Sequence, residues 1–244
     1  MGSTDLTLVC GSRPELLEQT LDSFHTYVFS QISIGQVFVN IDLYGGDETK
    51  RKLCRSMILQ RFPKAAIEQP VKNSFGNAVK TLWSRPTSQN FLHLEDDWVA
   101  LKPFRFRRIV RKANSNVKQW HLVKPRMEQS LLTSFRFRPI DGIPFFIPNL
   151  RRPAFTTSPS IIDAQFAHGI SELLNPELNP EKQMFNGMNI PLENYLQSFR
   201  CMALHKWWEK ESIRDIGRDW QLSKGIRVDI EDGLHIYKPL DSNS

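Results

Sequence analysis

The feature that most constrains this chain is the rhythm of its first hundred residues, where short apolar runs alternate with helix-like segments. Leu6-Thr7-Leu8-Val9-Cys10 reads as a buried strand broken by Gly11. Ser12-Arg13-Pro14-Glu15 then spells a capping box, with Ser12 as N-cap and Glu15 three residues on. Leu17, Leu21, Phe24 and Val28 follow at helical spacing. Val37 to Ile41 is a second strand ended by Gly45-Gly46, and Asp47 is placed to cap a helix carrying Leu53, Met57 and Ile58. Ala65-Ala66-Ile67 is a short third strand, and Phe75 to Trp83 a helix stopped before Pro86. Phe91-Leu92-His93-Leu94 is a fourth strand running straight into Glu95-Asp96-Asp97-Trp98. Near-continuous apolar strands are buried on both faces, so this β-α-β-α-β-α-β order predicts an α/β fold with a mainly parallel sheet flanked by helices. Ligands of such sheets bind beyond the carboxyl ends of the strands. Gly11-Ser12-Arg13, Ile41-Asp42-Leu43, Val71-Lys72-Asn73 and Glu95-Asp96-Asp97 lie at those ends, are polar, and are expected to converge on one crevice.

Beyond residue 100 the pattern loosens. Phe106, Ile109, Val110 and Ala113 make an apolar helical face, and prolines become dense between 139 and 191. Ile161–Leu174 and Leu192–Leu204 read as helices, and Ile226 to Ile230 as the last clear strand. With no linker in view, residues 1–244 are expected to form one domain with two subregions, 1–100 and a more irregular 101–244. A chain that is 40% hydrophobic and 24% charged has the composition of a globular protein, which excludes a disordered or collagen-like chain. Cys10, Cys54 and Cys201 are odd in number and far apart, without a CxxC, so a structural zinc site is not expected. Unpaired thiols fit a reducing compartment, and MGSTDLTLVCGS has neither the basic nor the long apolar part of a signal peptide. The expected location is therefore cytoplasmic.

Three consecutive acids after a buried strand are the strongest chemical signal. Burying uncompensated carboxylates is costly, and a hard cation such as Mg²⁺ or Mn²⁺, which prefers carboxylate and phosphate oxygens, compensates them. A solvated acidic turn is the alternative. Other reactive motifs fail on spacing. His93-Leu94-Glu95 lacks the P-C-x-x-C of zinc deaminases. There is no GxxxxGK[ST] and no GxGxxG. CGSRPELLE also lacks the Gly-rich loop after the first strand found in sugar nucleotidyltransferases.

The order strand, Ser-Arg-Pro, helix, strand ending in Asp, Asn-x-x-Gly-containing helix, strand, acidic triplet resembles the GT-A glycosyltransferases, especially the family 2-like ones. Phe155 to Ile162 and Pro191 to Leu196 are similar to acceptor-side segments of such enzymes. The resemblance implies a GT-A-like (Rossmann-like) fold with a nucleotide-binding subregion over 1–100 and an acceptor side over 101–244. It implies a nucleotide-sugar donor, a UDP-sugar first, with Mn²⁺ or Mg²⁺ held against the donor diphosphate. In that frame Gly11, Ser12 and Arg13 meet the nucleoside, and Asp42 reads a pyrimidine or ribose. Asn73, Asn77 and Lys80 lie toward the base, with spacing that departs from the family's. Glu95-Asp96-Asp97 takes the place of the DxD motif, with Asp97, Glu95 and the late His235 as metal ligands. Glu193 is implied as the catalytic base and Asp163 as its substitute. Ser12 as a plain cap, Asp42 as a turn aspartate, Glu193 as a helix-start acid and His235 as a structural histidine are the alternatives.

The net charge of +6 points to an anionic partner. Lys102, Arg105, Arg107, Arg108, Arg111 and Lys112 fall in one short segment, which predicts weak contact with an anionic membrane or a phosphorylated acceptor. Two rivals stay open. One is a UDP- and metal-binding protein without transfer activity. The other is a nucleic-acid-binding protein that uses the 102–112 basic helix, with Phe104 and Phe106 as a stacking platform.

Overall fold

The computed structural model describes residues 2–104, 106, 116–123, 135–140, 143–148, 155–185, 187–204, 209–231 and 234–239, with backbone only in 135–140, 143–148, 227–231 and 234–239. In chain order the elements are β1 (Thr4–Cys10), α1 (Pro14–Tyr27), β2 (Ile34–Ile41), α2 (Glu48–Arg61), β3 (Ala66–Glu68), α3 (Phe75–Trp83), β4 (Asn90–Glu95) and β5 (Trp98–Ala100). There follow β6 (Val117–His121), β7 (Phe135–Ile140), β8 (Ile143–Pro148), β9 (Ser160–Asp163), α4 (Ala164–Leu173), α5 (Pro180–Gln183), α6 (Ile190–Leu196) and β10 (Arg200–Ala203). The last are β11 (Ile213–Asp215), α7 (Gly217–Ser223), β12 (Ile226–Glu231) and β13 (Leu234–Pro239).

A seven-stranded sheet runs β10-β6-β9-β4-β1-β2-β3. The strands β4, β1, β2 and β3 are mutually parallel, as the apolar runs predict. β9 lies antiparallel between β4 and β6, so the sheet is mixed on that side. Alternate side chains of each strand face opposite layers. Leu6, Leu8, Cys10, Val39 and Ile41 pack with Leu17, Leu21 and Phe24 of α1 and Cys54 and Ile58 of α2. Val9, Phe38, Phe91 and Ile162 pack on the other face with Val79, Leu82 and Trp83 of α3, Ile170 of α4 and Leu192 of α6. Each fully buried Leu or Phe contributes about 2 kcal/mol from lost apolar exposure, so the two layers fix the strand ends that carry the polar residues.

Four expectations are corrected. Ser12 does not cap α1. The N-cap is Arg13 without a side-chain cap bond, and Pro14 supplies the first turn. The Ser12 hydroxyl is buried and donates instead to Asp42 O at 2.7 Å, stitching β1 to β2. The helix expected over Ile161–Leu174 begins only at Ala164, because β-branched Ile161 and Ile162 fill the slot between β4 and β6 and Asp163 caps the helix through Phe166 N–H at 3.0 Å. The segment Leu192–Leu204 divides into α6, which starts at Asn189 and Pro191, and edge strand β10 along β6. Finally β12 is not the last strand. β13 pairs with it antiparallel, and His235 stands opposite Ile230 within that hairpin.

Candidate functional site

The polar strand ends meet at the carboxyl edge of the parallel strands. Main-chain bonds bring them together first. Asp42 N–H donates to Cys10 O at 3.0 Å, Ser12 N–H to Tyr44 O at 2.8 Å, and Asp96 N–H to Val9 O at 3.1 Å. Side chains then link the loops. Gly11 N–H donates to Asp96 Oδ2 at 3.0 Å, and Leu43 N–H to Asn73 Oδ1 at 2.9 Å. A Cβ on residue 11 would come within 2.7 Å of Tyr44 O, so only glycine lets the first two loops approach this closely.

Arg13 is the centre of the arrangement. Its Nε donates to Asp96 Oδ2 at 3.3 Å and its Nη2 to Asp96 Oδ1, a side-on two-point pair with both side chains buried. Nη2 also reaches Asp97 Oδ2 at 3.1 Å. The guanidinium lies 4.9 Å from the Tyr44 ring and 5.5 Å from the Trp220 ring, two rings that meet edge to face beside it. Burial alone would lower its pKa, but Asp96 and Asp97 push it above its ordinary value, so it stays charged.

The remaining acids are crowded. Burial raises the Asp97 carboxyl to about 6 despite Arg13, with Asp96 and Asp215 adding to the rise. Glu95 is raised well above its ordinary value by burial, then by Asp97 and Glu181, while Trp98 Nε1–H donates to its Oε2 at 2.9 Å. Asp42 is buried and raised by desolvation, although Tyr44 N–H donates to its Oδ1 at 2.8 Å. His93, one turn of the pleat before Glu95, is buried and lowered to about 3 by burial. Its Nδ1 faces Thr7 Oγ1 at 2.8 Å and accepts from Trp83 Nε1–H at 3.1 Å, so it belongs to the core and carries no charge.

Five contributors escaped the sequence reading: Tyr44, Glu181, Asp215, Gly217 and Trp220. β11 pairs with β5 so that Asp215 stands opposite Trp98, and Ile216 N–H donates to Asp97 O at 2.8 Å. Gly217 lets α7 start against Asp97, since a Cβ there would lie 2.3 Å from Asp97 Oδ2. Trp220 Nε1–H donates to Glu15 Oε1 at 2.8 Å, and Gln221 Nε2–H to Tyr44 Oη at 3.1 Å. Glu181 Oε1 accepts from Thr157 N–H at 2.9 Å, Thr157 Oγ1–H at 3.1 Å and the Thr156 hydroxyl. Thr156 and Thr157 precede β9, whose Ser160 stands opposite His93, so Glu181 is held at the same edge as Glu95. The short run Ile213-Arg214-Asp215-Ile216-Gly217, a strand ending in Asp before Gly, was the available signal for one of these contacts.

Other expected residues lie elsewhere. Asp163 stands opposite Asn90, at the amino edge of β4, paired with Lys118 Nζ at 2.8 Å, so it is not brought to the site. Glu193, on α6, accepts from Gly187 N–H in the segment before that helix. Lys80 Nζ donates to Leu174 O at 2.7 Å, tying α3 to α4, and Asn77 is exposed on α3. The side chain of His235 and residues Arg105, Arg107, Arg108, Arg111 and Lys112 lie outside the described residues, as do Ile109, Val110 and Ala113. Phe104 and Phe106 are buried in the core with ring centroids 5.9 Å apart, so they form no exposed stacking platform.

The donor set is one of hard carboxylate oxygens, but no three His, Cys, Asp or Glu side chains among the described residues form a ready-made metal cage. The raised carboxyls of Asp97 and Glu95 mark negative charge that Arg13 alone does not balance. That fits a cation held by one or two carboxylates with the remaining ligands supplied by phosphate and water.

No family model and no curated protein sequence matches the chain. Solved structures do. The fold is GT-A-like. The mannosyltransferase PcManGT from Pyrobaculum calidifontis, solved with GDP-Man and Mn²⁺, matches with a TM-score of 0.50 at 11% identity, over 81% of this chain and 54% of that one. HddC from Yersinia pseudotuberculosis matches with 0.50 at 9% identity, over 91% and 97%. Residues 1–349 of S. aureus TarS match with 0.51 at 11% identity, over 86% and 59%. The chain thus spans just over half of the first and third of these proteins, and the likeness at these identities is one of fold. No helix among the described residues is long and apolar enough to cross a membrane.

Proposed function

We propose that the chain is a metal-dependent glycosyltransferase that takes its sugar from a nucleotide-sugar donor, a UDP-sugar first, and passes it to an acceptor hydroxyl. The observation that carries this reading is the meeting of Arg13, Asp42, Glu95, Asp96 and Asp97 at the carboxyl edge, where α/β sheets bind ligands. A solved mannosyltransferase with GDP-Man and Mn²⁺ is similar to the chain in fold, which supports the reading. Asp42 meets the nucleoside, with Gly11 and Ser12 holding its loop in place and Asn73 beside it. Asp97 and Glu95, with His235 as a further ligand, hold Mn²⁺ or Mg²⁺, which when bound neutralises the departing diphosphate. Asp96 keeps Arg13 charged and oriented.

Glu181 is the best-supported proton acceptor for the incoming hydroxyl. Its Oε1 is fixed by Thr156 and Thr157, which leaves Oε2 for a substrate. Glu193 and Asp163 are the sequence-based candidates against which it is compared. Titration calorimetry with UDP, GDP and their sugars, with Mn²⁺ and with chelator, is the test. Affinity for one nucleoside diphosphate that rises at least about tenfold with Mn²⁺, and sugar transfer lost in Glu181→Gln but kept in Glu193→Gln and Asp163→Asn, is expected. Equal affinity with metal and chelator refutes metal dependence. Metal-dependent donor binding without transfer to any acceptor favours a binding protein that has lost its chemistry.

A further inference from the structure

The guanidinium of Arg13 is saturated on one edge and half used on another. Nε and Nη2 hold Asp96 side-on, while the end-on fork of Nη1 and Nη2 holds a single oxygen, Asp97 Oδ2. Such a fork takes two acceptors. Nη1 is buried and has no acceptor among the described residues. A buried donor left without a partner costs free energy that a ligand oxygen recovers. The two carboxylates differ in the same sense. Asp96 is 2% exposed and also accepts from Gly11 N–H, whereas Asp97 makes one contact to Arg13 and keeps 19% of its side chain exposed. Ile216 N–H fixes the Asp97 main chain, so its carboxylate is the part that can change partners.

Resting on the nucleotide-sugar reading, we propose that Arg13 and a divalent cation exchange at Asp97. The cation takes the Asp97 carboxylate, the released Nη1–Nη2 fork takes two diphosphate oxygens, and Asp96 stays on Arg13 throughout. Arg13 is then a positioning residue. It makes Asp97, not Asp96, the cation's carboxylate, and it ties arrival of the metal to capture of the diphosphate. Tyr44 and Trp220 flank the guanidinium from one side and hold it by its faces, and Gln221 and Glu15 anchor those rings in turn.

The test measures Mn²⁺ alone by electron paramagnetic resonance, then UDP and GDP with and without Mn²⁺, on the wild type, Arg13→Lys and Asp97→Asn. Lysine keeps the charge beside Asp96 but offers no fork. In Arg13→Lys, Mn²⁺ alone is expected to bind about two- to fivefold more tightly, because a competitor has left the partly exposed Asp97. The gain that Mn²⁺ gives to nucleotide affinity is expected to shrink by about fivefold or more. Unchanged Mn²⁺ affinity and unchanged coupling in a folded Arg13→Lys protein overturn the exchange. Should that variant fail to fold, the double variant Arg13→Met/Asp96→Asn removes both buried charges together, and looser or equal Mn²⁺ binding there overturns it as well. Tighter Mn²⁺ binding in the variant, with no nucleotide affinity in the wild type, supports the exchange at Asp97 and removes the nucleotide-sugar reading. Nucleotide affinity without any Mn²⁺ binding does the reverse.

Discussion

Each edge of the parallel strands holds an aspartate, and the two edges treat it in opposite ways. At the amino edge Asp5 accepts from Gln36 N–H at 2.9 Å, Thr87 N–H at 2.8 Å and Ser88 N–H at 3.0 Å. Burial by itself would raise its pKa, but these main-chain donors bring it below the ordinary value. At the carboxyl edge burial raises the Asp97 carboxyl to about 6 despite Arg13 on one oxygen, with Asp96 and Asp215 adding to the rise. A carboxylate ringed by main-chain N–H groups is a clip that closes loops. One buried beside other carboxylates is disfavoured in its charged form by the fold around it. Both aspartates look alike in sequence, each beside an apolar strand.

The largest expected effect separates them by function. Asp97→Asn is expected to lower sugar transfer by about 10²- to 10³-fold, the usual cost of losing one electrostatic element at a reacting centre, and to abolish the response to Mn²⁺. Its melting temperature at pH 8 is expected to hold or rise, since a strained negative charge has gone. A matching drop in stability would make Asp97 a second clip. Asp5→Ala is expected to do the converse. It strands three part-buried main-chain donors and costs about 2 kcal/mol of stability, read by urea unfolding, with UDP and Mn²⁺ affinity unchanged.

The clip and the site were not equally legible. Apolar runs without polar alternation gave away β1 to β4, and the strand-end rule located Arg13, Asp42 and the acidic triplet on one edge, because both arguments are local and periodic. Ser12 was misread since a capping box and a cross-strand hydroxyl use the same residue, and only burial between β1 and β2 decides. Ile161-Ile162 was misread because four residues suffice for a strand when a slot between β4 and β6 awaits them. The cation argument rested on the charge of the acidic triplet alone. The triplet needs compensation, but part of it comes from Arg13, a residue more than eighty positions away whose pairing has no sequence signal. Glu181, Gly217 and Trp220 reach the site through long connections, and no local pattern announces them.

A smaller effect is expected at Gly217. The Cβ of Gly217→Ala would sit 2.3 Å from Asp97 Oδ2, so the carboxylate must turn away or α7 must shift. Mn²⁺ affinity is expected to fall by about tenfold, roughly 1.4 kcal/mol, with little change in unfolding midpoint. An unchanged affinity would mean that Asp97 already leaves this position when it binds the cation.

The smallest expected effect is also the one that sets the two edges against each other in a single measurement, the slope of stability with pH in the presence of chelator. Asp97 has a folded pKa near 6 against an ordinary 3.8, so the folded protein binds the extra proton between those values. Stability from this group is therefore present at low pH and is lost as pH rises through that window, on the order of 1 kcal/mol once exposure and coupling are discounted. Glu95, also raised, acts with the same sign. Asp5 is lowered, so its contribution is present above pH 3.8 and is lost as pH falls through its folded value. Urea midpoints from pH 3 to 8 are expected to show Asp97→Asn flattening the decline between about pH 4 and 6 and leaving the acid limb alone. Asp5→Asn should flatten the acid limb and leave that decline in place. If both variants flatten the same limb, the edges share one electrostatic environment and the contrast between clip and site fails.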